Sequence, residues 1–176
     1  EVLERLIDEG KIKAYGASID RFEEMQLLMN TTHAKVIEAF FNILHQDSAR
    51  AFDLAQSKEV AIIAKIPLDS GWLSGKYNES STFHDIRSRW SKHDIATRAQ
   101  LVDRIKEIVG PEENLASIAL SFCLSYEAVA TVIPGNISVA QLTQNVASVD
   151  HRISKTLQKE LEAFYLNEVA PLQLPW

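Results

Sequence analysis

The sequence predicts an α/β protein built on parallel strands, and three observations predict it. Short apolar or β-branched runs recur along the chain, amphipathic stripes of helical spacing lie between them, and the resulting order reads αβαβαβααβαα. Continuous apolar runs, as opposed to alternating ones, are expected of parallel strands covered on both faces, with the helices as crossovers.

Taken in chain order, Leu3, Leu6 and Ile7 form the first helical face, and Lys13 to Ala17 the first strand. Phe22, Met25, Leu28 and Met29 mark a second helix, followed by a strand over Lys35 to Phe41. Phe52, Leu54 and Ala55 mark a third, followed by the most apolar strand, Val60 to Ile66. After a long polar connection from Pro67 to about Ala96 come two helices in succession. The first carries Leu101, Val102, Ile105, Ile108 and Val109; the second carries Leu115, Ile118, Ala119, Phe122, Cys123 and Tyr126, with Asn114 as its N-cap. A short strand, Thr131 to Ile133, precedes the last two stripes: Val139, Leu142 and Val146, then Leu157, Leu161, Phe164 and Tyr165.

Such an array closes either as an open doubly wound sheet or as a (β/α)8 barrel, and both bind ligands at the C-terminal ends of the strands. The doubly wound form calls for a Gly-rich fingerprint after the first strand. Here that segment reads Tyr15-Gly16-Ala17-Ser18-Ile19-Asp20, without a GxGxxG. The barrel is favoured, although four strands in 176 residues are half of the eight strands and about 250 residues that a barrel needs.

Composition bounds the partners. The chain has one domain's length, 46% hydrophobic and 24% charged residues, and a formal net charge of -6. That acidic balance excludes the basic footprint of a nucleic-acid binder and favours a small diffusible ligand. No apolar run reaches the roughly 20 residues of a membrane span. The single Cys123 excludes an internal disulfide and fits a reducing, cytoplasmic compartment. The five histidines and one cysteine show no metal-ligand spacing, so no metal site is expected.

The strand ends carry Ser18, Glu38, Lys65 with Ile66 and Pro67, and Pro134 with Gly135 and Asn136. These are hydrogen-bonding groups and one cation, suited to binding, with no nucleophile and base arranged together. After the third strand, Leu68, Gly71, Leu73, Gly75 and Lys76 form a loop in which glycines permit close backbone approach and N–H donation, and Lys76 supplies a point charge for phosphate.

Gly10 to Ser18, Phe41-Asn42-Ile43-Leu44, Ile66-Pro67-Leu68 with Gly71 to Tyr77, Val132-Ile133-Pro134-Gly135, and Gln141-Leu142 to Asn145 together resemble the aldo-keto reductase superfamily in order and spacing. The resemblance spans residues 1 to about 165 and corresponds to the C-terminal half of that family's (β/α)8 TIM barrel, strands five to eight, as one domain over 1–176. It implies that this half carries most of a nicotinamide dinucleotide site. Ser18 matches the serine that holds the carboxamide, followed by Ile19 in place of the usual asparagine. Glu38 stands where a glutamine is common, and Lys65 where an aromatic ring often stacks. A lysine there is expected to disfavour the positively charged oxidised ring.

The segment from Pro67 to Lys76 is similar to the family's belt over the pyrophosphate, and Pro134, Gly135, Asn136, Gln141, Gln144 and Asn145 fall at the adenosine end. Gly135 and Gln141 stand where NADPH-specific members often carry Lys and Arg. NADP(H) is expected on family grounds, with NAD(H) as the alternative.

The implied activity is hydride transfer to a small aldehyde or ketone. The family's Asp, Tyr, Lys and His tetrad comes from strands that would precede Glu1, so no residue here is assigned a catalytic role and the isolated chain is expected to be inactive. Tyr15 is expected as a core residue within a strand, and Tyr126 as part of a helix stripe. Phe83, Trp90 and Trp72 are candidate substrate-wall or lid-anchor residues. A half barrel leaves two strand edges unpaired, so the remainder is expected from an N-terminal half or from a second chain. Two other readings stand beside this one: a reductase-like binding or regulatory subunit without the tetrad, and a Schiff-base aldolase using Lys65.

Overall fold

A computed structural model describes residues 1–110 and 113–175. Helix α1 (Val2–Asp8) leads to β1 (Gly16–Ser18), α2 (Phe22–Thr31) and β2 (Val36–Phe40). A 3-10 turn (Asp47–Ala51) runs into α3 (Phe52–Ser57), and β3 (Ala61–Lys65) follows. Two further 3-10 turns (Asp69–Ser74 and Ile86–Arg89) precede the long helix α4 (Lys92–Val109) and then α5 (Leu115–Leu124). The chain continues through β4 (Val129–Ile133), α6 (Val139–Ala147) and α7 (Lys155–Phe164) to a π turn (Tyr165–Val169) and a final 3-10 turn. The strands form one sheet in the order β1-β2-β3-β4, every pair parallel. This is the αβαβαβααβαα order read from the sequence.

The strands differ from their expected form in burial and in length. In β2 and β3 buried and half-buried residues alternate, with Ile37, Ala39, Ile62 and Ala64 fully buried and Val36, Glu38, Phe40, Ala61, Ile63 and Lys65 half-buried on the other face. Helices cover one face of the sheet and no layer of the described residues covers the other. The first strand is also shorter than its apolar run, so Tyr15 lies just before it. There its hydroxyl donates to Glu4 and accepts the His33 N–H (3.1 Å), tying α1 to the end of α2. It is a half-buried latch and not a core strand residue. Tyr126 lies two residues beyond the end of α5 and donates to Glu162 Oε1 (2.7 Å).

Close packing explains Gly16. A Cβ there would stand 2.0 Å from the Val36 carbonyl oxygen, inside the β1–β2 ladder. The core itself joins α2, α3, α4 and α5 to the covered face of the sheet. At its centre Phe41 meets Phe52, Phe122 and Tyr126 at centroid distances of 4.9, 5.7 and 5.0 Å, within the range of favourable aromatic pairing. Cys123 is fully buried, its thiol donating to the Phe41 carbonyl (3.5 Å), and burial pushes that thiol's pKa up.

Helix α4 begins four residues before the expected boundary because of local capping. Ser91 Oγ accepts the Asp94 N–H (3.1 Å) and Asp94 Oδ2 accepts the Ser91 N–H (2.8 Å), which satisfies donors at both ends of a capping box. At α5, Asn114 is the expected N-cap and accepts from Ser117 N (3.0 Å). Among the described residues no helix is long and apolar enough to cross a membrane.

Candidate functional site

Two groups of polar residues meet at the C-terminal ends of the strands. The first lies on the uncovered face. Register places Ser18 beside Glu38, and Phe40 beside Lys65, so Lys65 sits one layer beyond Glu38 on the same side of the sheet. Lys65 Nζ donates to Ser18 Oγ (2.9 Å), and Ser18 Oγ donates onward to Glu38 Oε1 (3.2 Å). Lys65 Nζ also lies 3.2 Å from Asp20 Oδ1, which in turn accepts the Phe40 N–H (2.7 Å). Asp20 was not expected from the sequence, although an acidic residue two positions past a strand end is a signal that could have found it.

The ion pair overturns the expectation for Lys65. Its ammonium is neutralised by Asp20, and Glu38 leaves the group formally negative. Lys65 is therefore not the isolated cation on which that expectation rested.

The second group forms a cleft of about 660 Å³ between the segment after β3 and the segment after β4. Of the residues expected at a site, Ile66, Pro67, Leu68, Gly71, Lys76, Pro134, Gly135, Gln141, Gln144 and Asn145 line it. Asn136 stands just behind, its Nδ2 donating to the Pro134 carbonyl (3.0 Å) and its Oδ1 accepting from Asn145 Nδ2 (2.7 Å). Leu73 does not line the cleft: its side chain is fully buried and its N–H is committed to the Leu68 carbonyl (3.1 Å). An apolar residue in a turn that folds back on the core is drawn inward.

The belt over 67–76 is held by its own interior. Ile66, Asp69 and Ser70 have positive φ, as do Gly71 (98°) and Gly75 (74°), so the chain coils tightly here. The N–H groups of Gly71 and Gly75 are both spent inside the turn, on Leu68 O (2.8 Å) and Trp72 O (3.0 Å). The glycines therefore allow the turn and close approach, but contrary to expectation they offer no amide donors. Positive charge comes from side chains instead. Lys76 is exposed beside the Tyr77 ring, and two cations not foreseen in the sequence, Arg87 and Lys106, line the same cleft. Arg87 Nε donates to the Ser70 carbonyl (2.8 Å) and its guanidinium pairs with Asp85, so the polar connection is pinned onto the belt. Both cations lie far from the strand ends in sequence, and only folding brings them here. Glu113 is the carboxylate among the cleft's lining residues.

Beneath the belt, Asp69 and Arg98 are both fully buried, with Oδ2 and Nε 3.3 Å apart. Arg98 also donates to the Pro175 carbonyl (2.5 Å) and lies over the Trp90 ring. Burial raises the Asp69 pKa to about 6 against the pull of Arg98. His45, 3.6 Å from Asp69 Oδ1, is lowered to about 4, first by burial and then by Arg98. Trp72, Tyr77, Phe83 and Trp90 pack on one another with ring centroids 4.9 to 6.1 Å apart, and Trp90 carries the contact with Arg98. Trp72 and Trp90 are buried within this cluster, as an anchor would be.

A parallel sheet with helices on one face, a glycine-bearing belt and an amide-bearing helix across a cleft defines an α/β protein with a cleft at its strand ends. The chain matches the aldo/keto reductase family over residues 1–165, and it belongs to that family. An oxidoreductase of Bacillus subtilis, YqkF, is 22% identical over 163 residues, covering 93% of this chain and 52% of that protein. A probable voltage-gated potassium channel subunit beta of Arabidopsis thaliana is 26% identical over 114 residues, covering 60% of this chain and 35% of that protein. Among solved structures, the glycerol dehydrogenase AKR11B4 of Gluconobacter oxydans superposes with a TM-score of 0.79 at 21% identity, covering 96% of this chain and 53% of that one. The aldo-keto reductase AKR11C1 of Bacillus halodurans, in its holo form, superposes with a TM-score of 0.74 at 23% identity, over 91% and 52%. The chain thus spans about half the length of YqkF and of these structures, and about a third of the channel subunit.

Proposed function

We propose that residues 1–176 are the C-terminal half of an aldo-keto reductase barrel, one domain carrying most of a nicotinamide dinucleotide site. The full-length protein would be an NAD(P)H-dependent oxidoreductase acting on a small aldehyde or ketone. The observation that carries this reading is the convergence of ten expected residues, from two distant segments, on one cleft whose residue Ile66 directly follows Lys65 of the strand-end cluster.

The residues fit the cofactor chemically. Lys76 offers positive charge for a diphosphate, with Arg87 and Lys106 beside it already paired with Asp85 and Asp103, and Gln141, Gln144 and Asn145 offer amides for the adenosine end. Ser18 and Glu38 stand where a carboxamide would be held, with Glu38 able only to accept. The bound nicotinamide supplies the hydride chemistry, and this chain orients it. With no cation at Gly135 or Gln141, NADP(H) is favoured on family grounds alone, with NAD(H) as the alternative. The Asp, Tyr, Lys and His tetrad lies outside these residues in this reading, so the isolated chain would not turn over. The free edges of β1 and β4 are where an N-terminal half or a second chain would complete the barrel. A cytoplasmic site of action accords with a single, buried cysteine.

The test is a fluorescence titration of the natural full-length protein with NADPH and NADH. Saturable binding that weakens on Lys76→Ala supports the reading, and absence of binding by either dinucleotide overturns it. The relative named as a channel subunit favours a second reading, a reductase-like subunit that binds a partner. In that case dinucleotide binding persists without carbonyl reduction.

A further inference from the structure

The strand-end cluster contains two carboxylates and one ammonium, and they are not equivalent. Lys65 is claimed by Asp20 at 3.2 Å, and its side chain is 19% exposed against 47% for Asp20. Asp20 is fixed in turn by the Phe40 N–H. Among the described residues the side-chain partner of Glu38 is the Ser18 hydroxyl, and no cation lies within ion-pair distance of it. The bond from Lys65 occupies a lone pair of Ser18 and leaves its proton for Glu38, so the chain Lys65 to Ser18 to Glu38 runs in one direction. One ammonium thus faces two carboxylates, Asp20 directly and Glu38 only through the Ser18 hydroxyl, so the net negative charge of the group is weighted toward Glu38, which is half-buried on the open face of the sheet.

We infer that Glu38 is a specificity-determining residue for the oxidation state of the cofactor, holding the oxidised nicotinamide more tightly than the reduced one. This rests on the dinucleotide reading above. The two forms of the ring are nearly the same in shape and carboxamide, but the oxidised ring bears a positive charge and the reduced ring bears none. A fixed negative charge beside them stabilises only the first. At a half-exposed position the expected difference is about fivefold in affinity, declining with added salt. A glutamine at the same place would keep the hydrogen bonds and lose the discrimination. Because the oxidised ring is the one stabilised, hydride loss from the bound reduced form is favoured, which is the direction of carbonyl reduction.

The experiment measures dissociation constants for NADP+ and NADPH, and for NAD+ and NADH, on the natural full-length protein, on Glu38→Gln and on Lys65→Met. Glu38→Gln is expected to weaken the oxidised form about fivefold and to leave the reduced form unchanged. Lys65→Met, which frees the charge of Asp20, is expected to shift the ratio the other way, and both shifts should shrink at high salt. If both forms bind the unaltered protein and Glu38→Gln leaves their ratio unchanged, the inference is overturned while the dinucleotide site stands. If neither form binds, both fall.

Discussion

The belt and helix α6 line the same cleft from opposite sides and are held by opposite means. The belt is anchored from within: Asp69, Trp72 and Leu73 are fully buried, and Arg98 ties them to α4. Helix α6 has no buried residue, and its apolar stripe of Val139, Leu142 and Val146 is 80%, 50% and 62% exposed. Local bonds cap its start, with Ser138 Oγ accepting the Gln141 N–H (3.2 Å) and Gln141 Oε1 accepting the Ile137 N–H (2.9 Å), and at its end the Ser148 carbonyl accepts from Ser121 Oγ of α5 (3.1 Å). One wall of the cleft is thus fixed by this chain's own core. The other packs on α5 with its hydrophobic stripe exposed.

The comparison can be broken most sharply at the buried pair. Arg98→Met leaves the Asp69 carboxylate without its partner in a dry interior and should cost about 3 to 5 kcal/mol in urea denaturation. Adding Asp69→Asn should recover much of that loss, because asparagine tolerates the positive φ there and removes the stranded charge.

A second test reads the same anchor through pH. The folded-state pKa of Asp69 is raised from 3.8 to about 6, so its protonation favours the fold, and that contribution is lost as pH rises through the interval. His45 is lowered from 6.5 to about 4, so it penalises the fold as pH falls through nearly the same range. The two largely cancel in the natural chain. In His45→Gln the Asp69 slope should emerge, with stability falling by about 2 to 3 kcal/mol as pH rises from about 4 to about 6. A flat profile in that variant would show that Arg98 keeps Asp69 ionised throughout.

Smaller effects sharpen the contrast. Ser91→Ala removes one side of the capping box and should cost about 1 kcal/mol, seen as a lower denaturation midpoint with unchanged slope. Leu142→Ser with Val146→Ser on α6 should change stability by less than about 0.5 kcal/mol per site while reducing self-association in sedimentation. A large loss of stability there would mean that the stripe is already covered.

The order of elements was legible because each helix and strand carries its own period, and the strand ends followed from parallel topology. Ser18 and Lys65 do end their strands, whereas Glu38, expected at a strand end, is the middle residue of β2 and joins them because register sets it beside Ser18. What escaped was whatever depends on distant neighbours. Val139, Leu142 and Val146 have the same spacing as the buried stripe of α5, and no local signal distinguishes a covered face from an open one. Arg87 and Lys106 entered the cleft through the path of the long connection and the position of α4, which spacing does not encode. The spent amides of Gly71 and Gly75 followed from a left-handed run that begins at two non-glycine residues, Asp69 and Ser70, where sequence gives little warning.

Cys123 has a practical consequence. It is the chain's sole cysteine, sealed beneath Phe41 with its thiol kept protonated by burial. An alkylating reagent can reach it only when α5 separates from the sheet, so the rate of thiol labelling against time is a clock for opening of the core. The chain carries its own single-site reporter of conformational opening, read by mass, with no added probe.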